Sequence, residues 1–221
     1  MIQEVTEHIA SGTAKIVAGT GTSSGRDSSA TAAQATTHAL AHLQAMAGTN
    51  SRADFAIVLA TGAAAASPED IGLAVRGVSG AEVVVGCTTS GLFSDSNSIE
   101  ESGIAVLLCQ GIEPITGHVE ELSADPSGAA QALTKALDRA KQETSTEETN
   151  DPESPPLLAW ILSPGSNTTH PFVDALQQGL PPATPVLGSV QTLTSAQTWV
   201  LTADGTVARD AVNAIRLLGA H

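Results

Sequence analysis

The sequence predicts an α/β fold of mixed α+β type. It has a layered sheet with βα units in its first part, antiparallel strands in its second part, and helices packed on the sheet. Apolar runs of strand length alternate with helical patterns up to about residue 85, which is typical of βα units. Beyond residue 100 short turns join the apolar runs, and this favours antiparallel pairing. With 221 residues, 42% of them hydrophobic and 14% charged, the chain can form one domain with a sizeable core over residues 1–221.

The first predicted unit is a strand, a glycine-rich loop and a helix. The short apolar run 14–18 ends at the loop 19–25, which reads Gly-Thr-Gly-Thr-Ser-Ser-Gly. A helical pattern follows from Ser28 to about Ala47, and Gly48 ends it. The face of this helix that would pack on the sheet carries Ala32, Thr36, Ala39, Leu40, Leu43 and Met46.

Two further strands are each followed by a polar turn. Residues 55–60 form the second predicted strand, which ends at Thr61-Gly62, and Ser67 caps the helix that follows. The third strand, 83–85, is fully apolar and runs into the turn 86–91, which reads Gly-Cys-Thr-Thr-Ser-Gly. The two glycines of this turn allow the backbone to approach a ligand closely, and its thiol, hydroxyl and amide groups can bind one.

In the second half of the chain, the runs 104–109 and 115–122 form a predicted antiparallel hairpin. A second hairpin joins 198–202 to 207–218 through Ala203-Asp204-Gly205, because an Asp-Gly pair favours a tight turn. Between the hairpins we predict a helix that starts at Asp125-Pro126, an acidic solvated surface loop at 142–156, a strand at 157–162, a helix at 171–180 and a strand at 185–189.

Five strand exits are rich in small polar residues: 20–24, 61–62, 87–91, 163–169 and 189–194. If the strands run roughly parallel, these exits meet at one edge of the sheet, where ligands of open α/β sheets bind. Arg26 is the one arginine or lysine near the exits, so a small polar metabolite fits better than a multiply charged phosphate. The predicted ligand-binding residues are Thr20, Thr22, Arg26, Gly86, Cys87, Thr88, Thr89, Ser90, Gly91 and Ser189.

The composition disfavours several classes of partner. A formal net charge of −14, from 23 acidic and 9 basic residues, disfavours nucleic acid and anionic membranes. Aromatic residues make up only 2% of the chain and Tyr is absent, so there is little material for base stacking. The acidic N-terminus and the lack of a membrane-length apolar run predict a cytoplasmic protein with no membrane partner.

No motif predicts a cofactor or a metal. The glycines of 19–25 do not have the GxGxxG spacing, and the chain has no GxxxxGK[ST] loop. His38 and His42 are four residues apart but have no third ligand nearby in the sequence. Cys87 and Cys109 have no CxxC spacing, so we expect two reduced thiols.

Two other functions stay open on the residues alone. Cys87 beside a base would be the nucleophile of a thiol-dependent hydrolase or transferase, and His170 is the histidine placed to reach it. On spacing alone, the pattern around Cys87 favours a small, inert core residue over a functional one. The chain would otherwise be an interaction module that is completed by a partner chain or by a second copy of itself.

Several motifs occur in a recognisable order. A Gly-Thr-Gly-Thr stretch precedes an alanine-rich helix, Val-Val-Val-Gly-Cys-Thr-Thr-Ser-Gly occupies 83–91, and a Ser-Gly-Ile-Ala-Val strand starts at Ser102. Pro-Val-Leu-Gly-Ser-Val and Ala-Asp-Gly-Thr-Val follow from Pro185 and Ala203. Over about residues 13–218 this order resembles the N-terminal half of the FIST family, the F-box and intracellular signal transduction proteins. Residues 86–91 are the most specific part of the resemblance.

This resemblance implies a cytoplasmic sensory domain in signal transduction, whose ligand is an amino acid or a derivative of one. It implies ligand-linked population shift rather than catalysis, with the segment 94–101 ordering on binding. The resemblance includes no C-terminal FIST domain, and Gly188-Ser189 stands where the family has two glycines. From it we expect Thr88→Val and Ser90→Val to abolish stabilisation by ligand while the domain still folds.

Overall fold

The computed structural model describes residues 16–94, 97–99, 101–144, 158–163, 169–180, 186–190 and 198–218. The helices in these ranges are α1 (Ser28–Ala47), α2 (Pro68–Ser79), α3 (Pro126–Thr144) and α4 (Thr169–Gly179), with a short 3₁₀ helix at Gly62–Ala65. The strands are β1 (Val17–Ser24), β2 (Phe55–Thr61), β3 (Val83–Thr88), β4 (Leu92–Ser94), β5 (Asn97–Ile99), β6 (Gly103–Gln110), β7 (Glu113–Val119), β8 (Leu158–Ser163), β9 (Val186–Val190), β10 (Val200–Leu201), β11 (Val207–Ala208) and β12 (Val212–Leu218).

Two main sheets, rather than one, form the β part of the domain. The first has the strand order β1-β6-β2-β3-β10-β11 and the second has the order β7-β12-β8-β9, while β4 and β5 pair separately. β2 pairs with β3 in parallel, and so does β8 with β9, whereas the other described pairs are antiparallel. The mixed α/β class that the sequence predicts is confirmed.

The sheets and helices form four layers. α1 and α2 cover the outer face of the first sheet through an alanine-rich core, and α3 and α4 cover the outer face of the second sheet. Between the two sheets, Ile215 of β12 belongs to the same apolar cluster as Phe55, Ile57 and Val85 of the first sheet. The inner faces of the sheets therefore pack directly on each other.

β1 overturns the prediction of a glycine-rich loop. Residues 17–24 form one continuous strand that pairs with β6 along its whole length. Gly19 and Gly21 face α1, and a Cβ at either position would overlap backbone atoms of that helix. These two glycines allow close contact between strand and helix, so local composition alone gave the wrong structure. Residues 14–15 of the predicted strand lie outside the described ranges.

β6 and β7 do not form the predicted hairpin. β6 lies inside the first sheet between β1 and β2, whereas β7 pairs with β12 in the second sheet. The connection contains Gly111, whose φ of +78° turns the chain from one sheet to the other. The prediction was wrong because neighbours in sequence usually pair, and here both partners of β6 come from earlier in the chain.

The last predicted strand, 207–218, is divided between the two sheets. β11 closes the predicted Asp-Gly hairpin with β10, and β12 belongs to the second sheet. Asp210 lies between them with a φ of +50°, and its carboxylate accepts a hydrogen bond of 3.1 Å from the backbone nitrogen of Ser123. The hairpin is thus confirmed, but the chain changes sheets directly after it.

The limits of α1 agree with the sequence prediction. The helix begins at Ser28, where the carboxylate of Asp27 accepts a 2.7 Å hydrogen bond from the backbone nitrogen of Ala30. It ends before Gly48, as predicted. Met46 is 45% exposed, so it does not belong to the inner face to which the periodicity assigned it.

Two predicted loops begin with regular structure. α3 continues to Thr144, so residues 142–144 are helical, and the remainder of the predicted acidic loop lies outside the described residues. In the segment 94–101, β5 pairs with β4 in an antiparallel ladder. The turn that follows β3 therefore leads into a short antiparallel ladder of β4 and β5 rather than into an open loop.

Candidate functional site

The carboxyl ends of β1, β2 and β3 lie at one edge of the first sheet. β6 is antiparallel to both β1 and β2, so these two strands run in the same direction. β3 is parallel to β2. The first three strand exits therefore meet at one edge, as predicted. β6, however, lies between β1 and β2, which the sequence analysis treats as neighbours.

The exits of β8 and β9 lie at the same end of the domain. Asn213 of β12 is paired with Leu162 near the end of β8, and its side-chain nitrogen donates a 2.7 Å hydrogen bond to the carbonyl of Leu201. Leu201 in turn is paired with Gly86 in β3. The end of β8 is thus stacked over the end of β3, and β9 runs parallel to β8. The segments that follow β8 and β9, 164–168 and 191–197, lie outside the described residues.

Thr20 and Thr22 do not reach the 86–91 turn. Both lie within β1, and the register puts Thr22 in the same cross-strand row as Cys87, with β6 and β2 between them. Three strand spacings of about 4.8 Å separate them, which amounts to about 14 Å. Arg26 is exposed just beyond the end of β1, at the edge itself. Of these three predicted residues, the structure brings Arg26 alone to the common edge.

Gly86, Cys87 and Thr88 belong to β3 and not to the turn that the sequence predicts. A Cβ on Gly86 would meet the carbonyl oxygen of Val58 at 2.5 Å, so this glycine allows close spacing of β2 and β3. Because successive side chains of a strand point to opposite faces, Cys87 points between the sheets and Thr88 towards the helices. The predicted cluster is therefore split across the sheet.

Cys87 has the environment of an inert core thiol. Its side chain is fully buried in the cluster between the two sheets. Burial raises the pKa of the Cys87 thiol to about 12, so the nucleophilic thiolate does not form near neutral pH. His170 is exposed on α4, which lies on the outer face of the second sheet. The structure therefore gives no basis for the thiol-dependent alternative with these two residues.

Thr88 is 5% exposed, and its hydroxyl is engaged within the protein. Its Oγ1 accepts a 3.3 Å hydrogen bond from the backbone nitrogen of Trp199, and its own backbone nitrogen donates to the Trp199 carbonyl at 3.2 Å. The indole nitrogen of Trp199 donates to the carbonyl of Ala65 at 2.7 Å. Trp199 was missed by the sequence analysis, although an isolated tryptophan in an aromatic-poor chain is a signal for a packing anchor.

Ser102 joins the exits of β1 and β2. Its hydroxyl donates to the carbonyl of Gly25 and accepts a 2.9 Å hydrogen bond from the backbone nitrogen of Ala64. Gly62 has a φ of +61°, and a Cβ there would overlap the carbonyl oxygen of Glu101. This part of the edge is closed by the protein's own hydrogen bonds. No local pattern marks Ser102, since its partners lie 38 and 77 residues away.

Ser90 and Gly91 are the accessible part of the turn after β3. Ser90 is exposed and Gly91 is half-buried, and among the described residues a Cβ on Gly91 would meet the Ile99 carbonyl oxygen, at 3.8 Å. Thr89 is half-buried, and its hydroxyl donates to the carbonyl of Gly91 at 3.0 Å. Ser189 lies in β9, one residue before the strand ends. Solvent thus reaches the edge at Arg26, Ser90 and Gly91.

His38 and His42 are used in packing against β1. Nδ1 of His38 lies 3.1 Å from the carbonyl oxygen of Thr22, and Nδ1 of His42 accepts a 3.4 Å hydrogen bond from the backbone nitrogen of Thr20. β1 is an edge strand, so these contacts occupy backbone groups that no other strand pairs with. Within the described residues, no three His, Cys, Asp or Glu side chains are grouped as metal ligands.

None of the described helices has the length and apolar character needed to cross a membrane. The FIST N domain, a sensory domain of signal-transduction proteins, matches residues 54–221. The matched part starts just before β2 and includes the 86–91 turn, whereas β1 and α1 precede it. No curated protein matches the chain. Because the family match spans well over half of the sequence, this chain belongs to the FIST family and contains its N domain.

Proposed function

We propose that this chain is a cytoplasmic sensory domain that binds a small polar metabolite, an amino acid or a derivative of one. The proposed site is the end of the domain at which β1, β2, β3, β8 and β9 all finish. The observation that carries the proposal is this common strand direction in both sheets. Ligands of α/β sheets bind beyond the carboxyl ends of the strands, where backbone groups and short polar side chains are free to turn towards them.

The charges at this end fit a ligand with one carboxylate. Arg26 is exposed there, and a guanidinium binds a carboxylate in a bidentate manner. Arg26 follows β1, three strand spacings from β3, so its side chain would have to extend along the edge to share a ligand with the exposed hydroxyl of Ser90, beside which Gly91 leaves room. Arg209 follows β11, which runs parallel to β3, so a second exposed arginine lies at this edge, two strand spacings from the end of β3. Two separated arginines would still favour a carboxylate over a multiply charged phosphate. Ser189 and Thr89 would flank this group, and Gly86, Cys87 and Thr88 would support it from within β3.

The contacts of Trp199 suggest how binding would change the domain. This residue holds the end of β3 to the 3₁₀ helix that follows β2, and it precedes β10 directly. A ligand that orders residues 89–91 would stabilise this arrangement and shift the population towards it. The output would be association with a partner chain or with a second copy of the domain.

A thermal-shift screen tests the proposed function. The purified chain is heated with each amino acid, with small mono- and dicarboxylates and with nucleotides, because a ligand of the native state alone raises the Tm. We expect a selective rise for one class of amino acid or related carboxylate, and little or no rise in Arg26→Ala. A flat response across the panel, or a rise that Arg26→Ala retains in full, would overturn the proposal.

A further inference from the structure

A cleft lies at the end of the first sheet opposite to the proposed sensory site. It has a volume of about 550 Å³ and is lined by the C-terminal parts of α1 and α2 and by the segment 49–52 between α1 and β2. Small-molecule sites occupy about 300–1,000 Å³, so the cleft can hold a metabolite of ordinary size. Its residues precede β2 and β3, whereas the proposed sensory site follows them.

The wall of the cleft is held by hydrogen bonds. The backbone nitrogen of Ser51 donates to the carbonyl of Gly48 at 3.1 Å, and Nε2 of Gln44 donates to the carbonyl of Ser51 at 3.2 Å. The backbone nitrogen of Ala53 donates to the carbonyl of Ser79 at 3.4 Å, which joins this segment to the end of α2. The cleft is therefore preformed, and a ligand would not have to order its lining.

The lining has one positive charge and no negative charge. Arg52 is exposed, and its Cδ lies 3.5 Å from the position that a Cβ on Gly80 would occupy, so its stem rests on the end of α2. The other polar lining side chains are amides and hydroxyls, from Gln44, Thr49, Asn50, Ser51 and Ser79, and none of the ten lining residues is acidic. In a chain with a net charge of −14, the lining of this cleft thus has one cationic side chain among uncharged ones.

Gly77 leaves the cleft open, although neither packing nor helix propensity favours a glycine at this position. It is exposed in the last turn of α2, and a Cβ built on it has no atom of the described residues within 4 Å. Alanine is more favourable than glycine inside a helix, so packing and propensity alone would favour a side chain here. The missing side chain leaves space that faces the cleft, and occupation of that space by a ligand would account for the glycine.

We propose that this cleft binds a small carboxylate that also carries a hydroxyl or amino group. Arg52 would bind the carboxylate, and the amides of Gln44 and Asn50 would bind the hydroxyl or amino group. In the last turn of α2 the carbonyls of Arg76 and Ser79 already accept hydrogen bonds from the backbone nitrogens of Gly80 and Ala53, so those of Gly77 and Val78 would accept from the donor group of the ligand. The negative dipole end of α2 disfavours an anion, so the carboxylate would have to lie at Arg52. One arginine without a helix N-terminus favours a carboxylate over a phosphate. This site is independent of the sensory site and would remain if that assignment failed.

A nuclear magnetic resonance titration of the ¹⁵N-labelled chain tests the proposal. Glycerate and serine are the probes, and acetate and inorganic phosphate are the comparison anions. We expect glycerate or serine to shift the backbone amide signals of Ser51, Gly77 and Gly80 in a saturable manner, and more strongly than either comparison anion. Arg52→Ala should weaken the apparent affinity at least tenfold, while the matched surface variant Arg209→Ala should leave it unchanged.

A second variant separates binding from folding. Gly77→Leu should fill the open space and abolish the saturable shifts. Its Tm is compared with that of Gly77→Ala, whose Cβ meets no described atom within 4 Å, so that loss of binding is separated from loss of folding. Unmoved signals with both probes would overturn the proposal, and so would shifts that persist in Arg52→Ala or Gly77→Leu. Changes confined to the amides of residues 26 and 89–91 would support the sensory site and contradict this one.

Discussion

The indole nitrogen of Trp199 donates a 2.7 Å hydrogen bond to the carbonyl oxygen of Ala65, across a sequence separation of 134 residues. The tryptophan is 3% exposed and is packed in the core between the first sheet and its helices. Its backbone nitrogen also donates to Thr88 at the end of β3. One residue of the C-terminal third thus sets the spacing between the exits of β2 and β3.

Trp199→Phe should lower the free energy of unfolding by about 1–3 kcal/mol, because it leaves the buried Ala65 carbonyl without its donor. Urea unfolding followed by far-ultraviolet circular dichroism measures the change. A free energy of unfolding equal to that of the natural sequence would show that the bond to Ala65 contributes nothing.

Thr88→Val should lower the free energy of unfolding by about 1–2 kcal/mol, because the buried backbone nitrogen of Trp199 loses its acceptor. The matched variant Thr88→Ser keeps the hydroxyl and should recover most of that loss in the same urea experiment. This prediction revises the expectation that Thr88 acts on the ligand directly. Equal stability of the valine and serine variants would contradict the structural role of the hydroxyl.

Gly19→Ala and Gly21→Ala should each destabilise the domain by about 2 kcal/mol or more, because a new Cβ overlaps the backbone of α1 and must displace it. Gly77→Ala is the matched control, since its Cβ meets no atom within 4 Å. The control should be neutral or more stable by up to about 1 kcal/mol. Thermal unfolding of the three variants under one condition gives the comparison, and tolerance of both β1 substitutions would contradict the packing described for that strand.

The Cys87 thiol should resist alkylation in the native state. Burial raises its pKa to about 12 from 9.0, so the thiol stays neutral between pH 7 and pH 9 and iodoacetamide reacts slowly at every pH in that range. The raised pKa also means that the neutral thiol favours the folded state fully below about pH 9, and that this contribution falls as the pH rises towards 12. Mass spectrometry of the alkylated peptides measures the rate, with the urea-unfolded chain as the control. Fast, pH-dependent labelling of native Cys87 would restore the thiol-enzyme alternative.

The residue pattern predicts elements better than it predicts their partners. Buried strands such as 55–60, and the capped helix from Ser28, follow from hydrophobic periodicity and capping, which are local properties. The run of glycine and small polar residues in β1 is just as typical of a loop. What makes it a strand is the backbone of α1, which packs closely against Gly19 and Gly21. A local pattern therefore cannot separate these two uses of glycine.

For the candidate site, the sequence predicts the edge at which it lies but not the long-range contacts that shape it. The common edge follows from the alternation of strands and helices, which the sequence carries. Extending β3 through Thr88 would have placed Cys87 and Thr88 on opposite faces, because the strand period is two. The roles of Ser102 and Trp199 depend on contacts 38 or more residues apart, so no window of the sequence contains both partners.

Isothermal titration calorimetry measures whether a small ligand binds at the carboxyl ends of the strands. The ligand that raises the Tm is titrated into the natural sequence and into Ser90→Val, Arg26→Ala and Arg139→Ala, the last being an exposed arginine on α3, outside the proposed site. Our account predicts saturable binding that weakens at least tenfold, or by about 1.4 kcal/mol, in the first two variants. We expect an unchanged Kd in Arg139→Ala. An unchanged Kd in both Ser90→Val and Arg26→Ala would contradict a sensory site at this edge.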